Sequence, residues 1–519
     1  MIRAAIVIFL AAAFIWMGRS TFGADLVDDA YIFLRYAANL AAGRGLVFNV
    51  GEHVEGYTSP LWVLILAGAG ALGVDLVPAA RTLSAAFGFA TVVLVLILTR
   101  RWLSREHVLL VLVPAWFLIT NPSFMYWVWS GMDTALFTFL LLASVALFVR
   151  QLDSGGCMAG AGCCFALTVL SRPDGLCLLP LFSLAIIWLR RHRRKLLVRE
   201  LLSFSAPLAL LALHLLWRYF YYSALLPNTY AAKVDLPSGI RLWNGLKYTA
   251  QFILAYQLFL FLVPCAAVGL LTILRRSKTH EVLIALILAL WTAYVCFIGG
   301  DHFGMFRFYV PVLPLLSLLT VLWIGDFLLS DRHPLRPKGS RVAAALLISL
   351  SILNYSVYRF HGGQRCREEI SLARSWAQVG RWLGQNVPRN SLIALVPVGS
   401  IPYHSGLRTL DLVGLTDREI ALRGKVNTQG KVGHQKYDTD YVLARRPDYI
   451  IYQSSGLFTQ PVHQQNHQAA ADYPKAFSDL VQDERTWRLY DYMAVRMPNG
   501  RYIEMLKKKI SPARMGVHP

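Results

Sequence analysis

The sequence predicts a polytopic α-helical membrane protein of about eleven transmembrane helices, with a soluble α/β domain at its C-terminal end. Three observations predict it. Apolar residues make up 56% of the 519 and charged residues only 16%, the balance of a chain that buries most of its length in lipid. The basic residues fall in short clusters between apolar runs. After Tyr358 the composition turns polar and the apolar runs shorten to strand length.

The apolar runs that read as spans are Ile2–Met17, Pro78–Leu98, Val108–Thr120, Ala135–Val149, Met158–Leu170, Leu176–Leu189, Leu201–Phe220, Thr249–Leu274, Val282–Ile298, Phe308–Leu329 and Val342–Tyr358. A span needs about 20 residues, so the shorter runs extend into their aromatic flanks. The first run continues through Phe14, Ile15 and Trp16 and reads as a retained signal anchor. Leu61–Gly73 is too short to span and reads as an interfacial or re-entrant helix.

A net charge of +21 would suit nucleic acid, but its distribution excludes that partner. Arg100, Arg101 and Arg105, then Arg190 to Lys195, then Arg275, Arg276 and Lys278, then Arg332 to Arg341 all fall on one side of the alternating spans. That is the positive-inside signal for insertion. It predicts that the polar motifs lie on the external face of the membrane. The seven cysteines form no CxxC pair and no disulfide framework.

Residues 1–358 form the membrane domain, with a first external loop over residues 19–77, and residues 362–519 form the soluble domain. In the latter, Ile370–Leu383 has helical periodicity. Leu392–Pro397, Leu407–Leu412 and Asp448–Tyr452 read as strands. The basic residues from Lys507 onward read as a frayed tail.

The polar stretch Asp28–Trp62 organises the membrane half. Asp28 and Asp29 open it, either as acids or as helix N-caps. A helix follows to Ala42, presenting Arg35, and Gly43 and Gly45 stop it. Glu55 and Tyr57 lie in the turn leading to Pro60. Four more external segments carry reactive side chains. Ser130–Thr134 places Asp133 at the start of a span. Ser171–Gly175 carries Arg172, suited to a lipid phosphate or to snorkelling. Pro227–Lys233 offers Asn228, Tyr230 and Lys233. Gly299–Arg307 gathers Asp301, His302 and Arg307 at a boundary where charge is costly. His302 is either a metal ligand or a hydrogen-bonded wall residue.

Carboxylates suit general-base work or a divalent cation, and the cations Arg172, Lys233 and Arg307 suit a phosphate leaving group. Together they fit group transfer from a lipid phosphate at a membrane surface. No Walker, HExxH or GxSxG motif competes.

The run DDAYIFLRYAANLAAGRGLVFNVGEHVEGYTSPLW resembles the first external loop of GT-C superfamily glycosyltransferases, close to the mycobacterial cell-wall arabinofuranosyltransferases. SGMDTAL, SRPDG, LPNTYAAK and GGDHFGMFRFYVPVLPLL are similar to the family's later external motifs, and Val398–Ala421 to the start of its soluble domain. The resemblance implies a GT-C fold and a polyprenyl-phosphate sugar donor, with arabinofuranose as one option. It implies a cell-envelope glycan, glycolipid or protein acceptor and an inverting displacement. Asp28 or Asp29 would be the base, with Asp28 slightly favoured. Many members use a divalent ion such as Mg or Mn, although this sequence shows no closed ligand set. Two other readings compete: a transporter or flippase of a lipid-linked anion, with His214 as the mid-span polar residue, and a non-catalytic surface protein. The first also predicts inverted repeats, and the sequence shows none.

Overall fold

A computed structural model describes residues 2–22, 25–103, 108–234, 237–256, 278–301, 303–328, 339–428, 430, 433–452, 457–461 and 474–509. The membrane half consists of helices α1 (Ile2–Phe22), α2 (Asp28–Ala41), α3 (Pro60–Ala71), α4 (Leu76–Trp102), α5 (Val108–Thr120), α6 (Pro122–Trp129), α7 (Thr134–Ser154), α8 (Ala159–Ser171), α9 (Leu179–Arg190), α10 (Arg194–Ser205), α11 (Ala209–Tyr222), α12 (Asn228–Val234), α13 (Ser238–Ala255), α14 (Thr279–Ile298), α15 (Leu313–Leu328) and α16 (Gly339–His361).

Among the described residues, seven segments are long and apolar enough to cross a membrane, or eight if the bent pair α5–α6 is one span. Eleven were expected, and the difference has local causes. α8 is only 13 residues long. The expected span Thr249–Leu274 runs from α13 out of the described residues. Asn121 precedes Pro122, a position that disfavours helix, so the chain bends by 59° there and Asn121 caps α6 through the Phe124 amide at 2.9 Å. The expected span Leu201–Phe220 starts earlier, at Arg194, and is interrupted by a 3-10 turn at Ala206–Leu208 around Pro207. α3 is a short apolar helix of 12 residues packed on α2, with Trp62, Val63 and Leu66 buried and Leu64 and Leu72 exposed.

The C-terminal half opens with the amphipathic helix α17 (Gly363–Asn386), which contains the expected Ile370–Leu383. Strands β1 (Leu392–Leu395), β2 (Arg408–Asp411) and β5 (Tyr449–Ile451) stand where alternation placed them. Both β2 and β5 pair with β1 in parallel. The sheet is completed by a hairpin of β6 (Tyr490–Arg496) and β7 (Tyr502–Lys508), antiparallel to β5, in the order β2-β1-β5-β7-β6. Its turn is Pro498-Asn499-Gly500, with Gly500 at φ +79°. Lys507 and Lys508 are therefore strand residues rather than a frayed tail, held because β7 is sandwiched between β5 and β6. A small ribbon of β3 (Lys425–Val426) and β4 (Lys436–Tyr437) lies apart. Short helices α18 (Ser400–Ser405), α19 (Arg418–Arg423) and α20 (Thr439–Arg445) connect the strands, and α21 (Lys475–Gln482) and α22 (Glu484–Leu489) precede β6.

Candidate active site

The structure sorts the expected site residues into two groups. The first is a cluster of charges where loops meet the helix ends. Arg172 leaves α8 with extended backbone at φ −156°. Its guanidinium donates from Nε to Asp174 Oδ2 at 2.7 Å, and its Nη1 stands 3.7 Å from Asp133 Oδ1. Asp174 also accepts from the Tyr294 hydroxyl of α14. Asp133 is fully buried at the start of α7, and both Arg172 and Arg307 act on its carboxylate. Arg307 pairs with Asp301 at 2.6 Å and lies over the Trp127 and Phe303 rings, at 5.3 and 4.8 Å.

The loop holding Asp301 and Arg307 is strained. Gly299 and Gly300 take φ +95° and +71°, and a Cβ on Gly300 would stand 2.6 Å from Tyr248 Cβ. Met305 and Phe306 are also in the left-handed region, at +54° and +45°, which side chains adopt at a cost of about 1–3 kcal/mol each. Trp127 Nε1 donating to the Met305 carbonyl at 2.9 Å, and Phe306 packed on Phe252, hold them there.

Lys233 completes this cluster from α12. It is half-buried, and among the described residues it has no hydrogen-bond or ion-pair partner. Its charge is felt by Asp29, Asp301, Arg307 and Arg172 together. Burial is the largest influence on its ammonium and holds it below the ordinary lysine range; Arg307 and Arg172 push the same way, and Asp29 and Asp301 oppose them. Asp29 is half-buried too and makes no hydrogen bond among the described residues.

The second group forms a polar seam between the first long loop and the C-terminal domain. Asp28 does not cap its own helix. It accepts the backbone amides of Gly399 at 3.2 Å and Ser400 at 2.7 Å, at the start of α18. The approach is so close that a Cβ on Gly399 would lie 2.0 Å from the Asp28 carbonyl oxygen. Burial, with Asp29 alongside, pushes the Asp28 carboxyl up to about 7 despite the two amides. Arg35 was expected to bind substrate, but its donors are committed to the carbonyls of Phe48 (2.8 Å), Pro402 (2.5 Å) and Leu407 (2.7 Å) and to Asn49 Oδ1 (3.2 Å).

Asn228, also expected on the substrate, donates to the carbonyls of Gly414, Leu415 and Asp417 at 2.7–3.1 Å. Buried Asp411 shapes the turn that receives it, accepting from the amides of Val413, Gly414 and Thr416. Glu55 pairs with Arg218 of α11 at 2.8 Å, and the Tyr57 hydroxyl meets that of Tyr222 at 3.2 Å. Both side chains are thereby packed into the wall instead of facing the cluster. Tyr230 is 51% exposed, and His302 lies outside the described residues.

Asp174, Tyr294 and Trp127 were not anticipated. Asp174 had a signal, lying two residues beyond Arg172 in the same turn, but Tyr294 and Trp127 sit mid-helix and look like any core aromatic. His214, the mid-span polar residue, contacts Arg218 at 3.2 Å on its own helix. Among the described residues, no group of three or more His, Cys, Asp or Glu is placed to hold a metal ion. Asp133, Asp174 and Asp301 stand against arginines, and no step below is routed through a metal ion.

Two solved structures share this architecture over nearly the whole chain. ArnT from Cupriavidus metallidurans, bound to undecaprenyl phosphate, superposes with a TM-score of 0.57 at 13% identity, covering 97% of this chain and 98% of that one. The Archaeoglobus fulgidus oligosaccharyltransferase, in complex with Zn and sulfate, gives 0.54 at 13% identity, covering 95% and 72%. The chain has the GT-C fold. In sequence it is 30% identical over 275 residues to the terminal beta-(1->2)-arabinofuranosyltransferase of Mycobacterium tuberculosis, 49% of this chain and 42% of that protein. This bears out the resemblance drawn from the loop motifs. The chain spans less than half the length of the curated relatives it matches. Residues 363–495 match a family described as a domain of unknown function, DUF8728.

Proposed function

We propose that this GT-C chain is an inverting glycosyltransferase of the bacterial cytoplasmic membrane. It moves a sugar from a polyprenyl-phosphate donor to a hydroxyl of a cell-envelope glycan, glycolipid or protein, with arabinofuranose as the first donor to test. The observation that carries the reading is Lys233, a half-buried cation with no hydrogen-bond or ion-pair partner among the described residues, within the electrostatic reach of Asp29, Asp301, Arg172 and Arg307. Such a cation has a use when a phosphate arrives. The relatives named as arabinofuranosyltransferases and the undecaprenyl phosphate bound to ArnT support the same donor class.

Asp29 takes the proton of the acceptor hydroxyl. The hydroxyl oxygen forms the new bond to the anomeric carbon on the face opposite the phosphate. The bond from that carbon to the phosphate oxygen breaks, its electron pair staying on the oxygen. Lys233 meets this charge, with Arg172 and Arg307 behind it. Asp28, already accepting two amides, holds α2 in place. The basic clusters at the opposite ends of the spans support a periplasmic site.

The test is sugar transfer by the purified protein from labelled polyprenyl-phosphate arabinofuranose, mannose and glucose to a cell-envelope acceptor fraction. Asp29→Asn should lose activity by about 10²–10⁴-fold, the usual worth of a general base. Full activity in Asp29→Asn, or no donor consumed by folded wild type, overturns the assignment.

A further inference from the structure

A polar cavity lies at the outer end of α2, between the loop that follows it and the C-terminal domain. Its volume is about 370 Å³, within the range of small-molecule sites and far larger than one water or a bare anion needs. Arg35, Arg44, Arg389 and Arg408 all line it, and no carboxylate does. Arg35 forms the floor with its donors committed to carbonyls, so it contributes charge without a free hydrogen bond. Burial pulls its guanidinium down to about 10, and the charge of Arg44 pulls the same way. Arg408 is held from outside by Glu52, at 3.1 Å from its Nε. Arg44 and Arg389 are exposed and, among the described residues, make no hydrogen bond or ion pair. Asn390 stands beside them. Half-buried Tyr403 adds a ring face and a hydroxyl with no partner among the described residues.

We infer that this cavity binds an acidic saccharide, its carboxylate held by Arg44 and Arg389 and its ring against Tyr403. A cleft lined by one sign of charge concentrates counter-ions, and the planar guanidinium fork suits a carboxylate. Space beyond that anion, with Asn390 and Tyr403 as neutral partners, suits a sugar hydroxyl face. Arg35 and Asn39 lie seven and eleven residues from Asp28 along α2, about 10–16 Å at the helical rise. An acceptor glycan anchored in the cavity therefore extends along α2 toward the charge cluster. That last step rests on the proposed transfer reaction; the binding itself does not.

The experiment is calorimetric titration of the full-length protein in detergent, without donor. Three probes are used: a uronic-acid disaccharide, its carboxyl-reduced neutral counterpart, and inorganic phosphate. The expected result is saturable binding of the uronide at least tenfold tighter than of either other probe, weakening with salt. Arg44→Gln with Arg389→Gln should weaken it by tenfold or more with an unchanged melting temperature. Asp29→Asn, dead in transfer, should bind as wild type does. Equal binding of acidic and neutral sugars, phosphate binding as tightly as the uronide, or indifference to the double substitution each overturns the inference. Loss of transfer reading alone, with uronide binding intact, removes the enzyme assignment and leaves this site standing.

Discussion

Two adjacent aspartates separate at the scale of the residue. Asp28 and Asp29 are both in the first turn of α2, where a carboxylate is favoured by the helix dipole whatever else it does. Their neighbours divide the work. Asp28 is bonded to amides of another domain, whereas Asp29 makes no hydrogen bond among the described residues and acts electrostatically on Lys233. The earlier preference for Asp28 as the base therefore gives way to a proposal for Asp29. Lys233 yields a second prediction. Its ammonium is held below the ordinary lysine range, so the folded enzyme loses that proton at lower pH than a solvated lysine. The alkaline limb of kcat/KM should fall below that range. Lys233→Arg should shift the limb upward with partial activity, and Lys233→Met should abolish it. A limb unmoved by Lys233→Arg would remove Lys233 from the reaction.

Elements meet through specific close approaches. α18 docks on α2 only because residue 399 has no side chain to strike the Asp28 carbonyl. Gly399→Ala should detach this contact, lowering the thermal midpoint and exposing the segment near Gly399 to limited proteolysis. Arg35→Met removes four hydrogen bonds from a charged donor, a kind worth about 1.5–3 kcal/mol each, although each acceptor keeps a second donor from Asn39, Gly406 or Thr409. It should destabilise the seam by about 3 kcal/mol or more, measured as the denaturant midpoint of domain release. Arg35 also shows where sequence reading falls short. Its position on the polar face of α2 was legible, but its partners Pro402 and Leu407 come from 367 and 372 residues away. No local pattern reports such a distance.

For the whole molecule, the seam gives a pH dependence. The Asp28 carboxyl keeps its proton to about pH 7 in the folded chain but titrates near 3.8 when unfolded. Between those values the folded state binds the extra proton, so this contribution to stability falls as pH rises through the window. Wild type should therefore lose more of its melting temperature than Asp28→Asn on going from pH 5 to pH 8. Parallel curves would show that Asp28 does not titrate there. Orientation is tested independently. In intact spheroplasts an impermeant maleimide should label exposed Val50→Cys in the first loop and spare native Cys157 at the opposite end of α7. The reverse pattern would invert the proposed topology.

The sequence by itself determined the membrane class, three of the sheet's strands and the five segments that carry the charges. Each of these is a local pattern: apolar length, charge asymmetry, alternation, or reactive residues beside a helix end. The β6–β7 hairpin about Asn499-Gly500 was not read from the sequence, where the basic residues from Lys507 onward suggested a frayed tail instead. Only the tertiary structure decided which charges meet. Arg172, Lys233 and Arg307 converge because α8, α12 and the loop before α15 end at one place, while Arg35, Glu55 and Asn228 are drawn off by partners on other elements. A buried charge must be paired or put to use. Which of the two applies depends on neighbours supplied by chain folding across hundreds of residues.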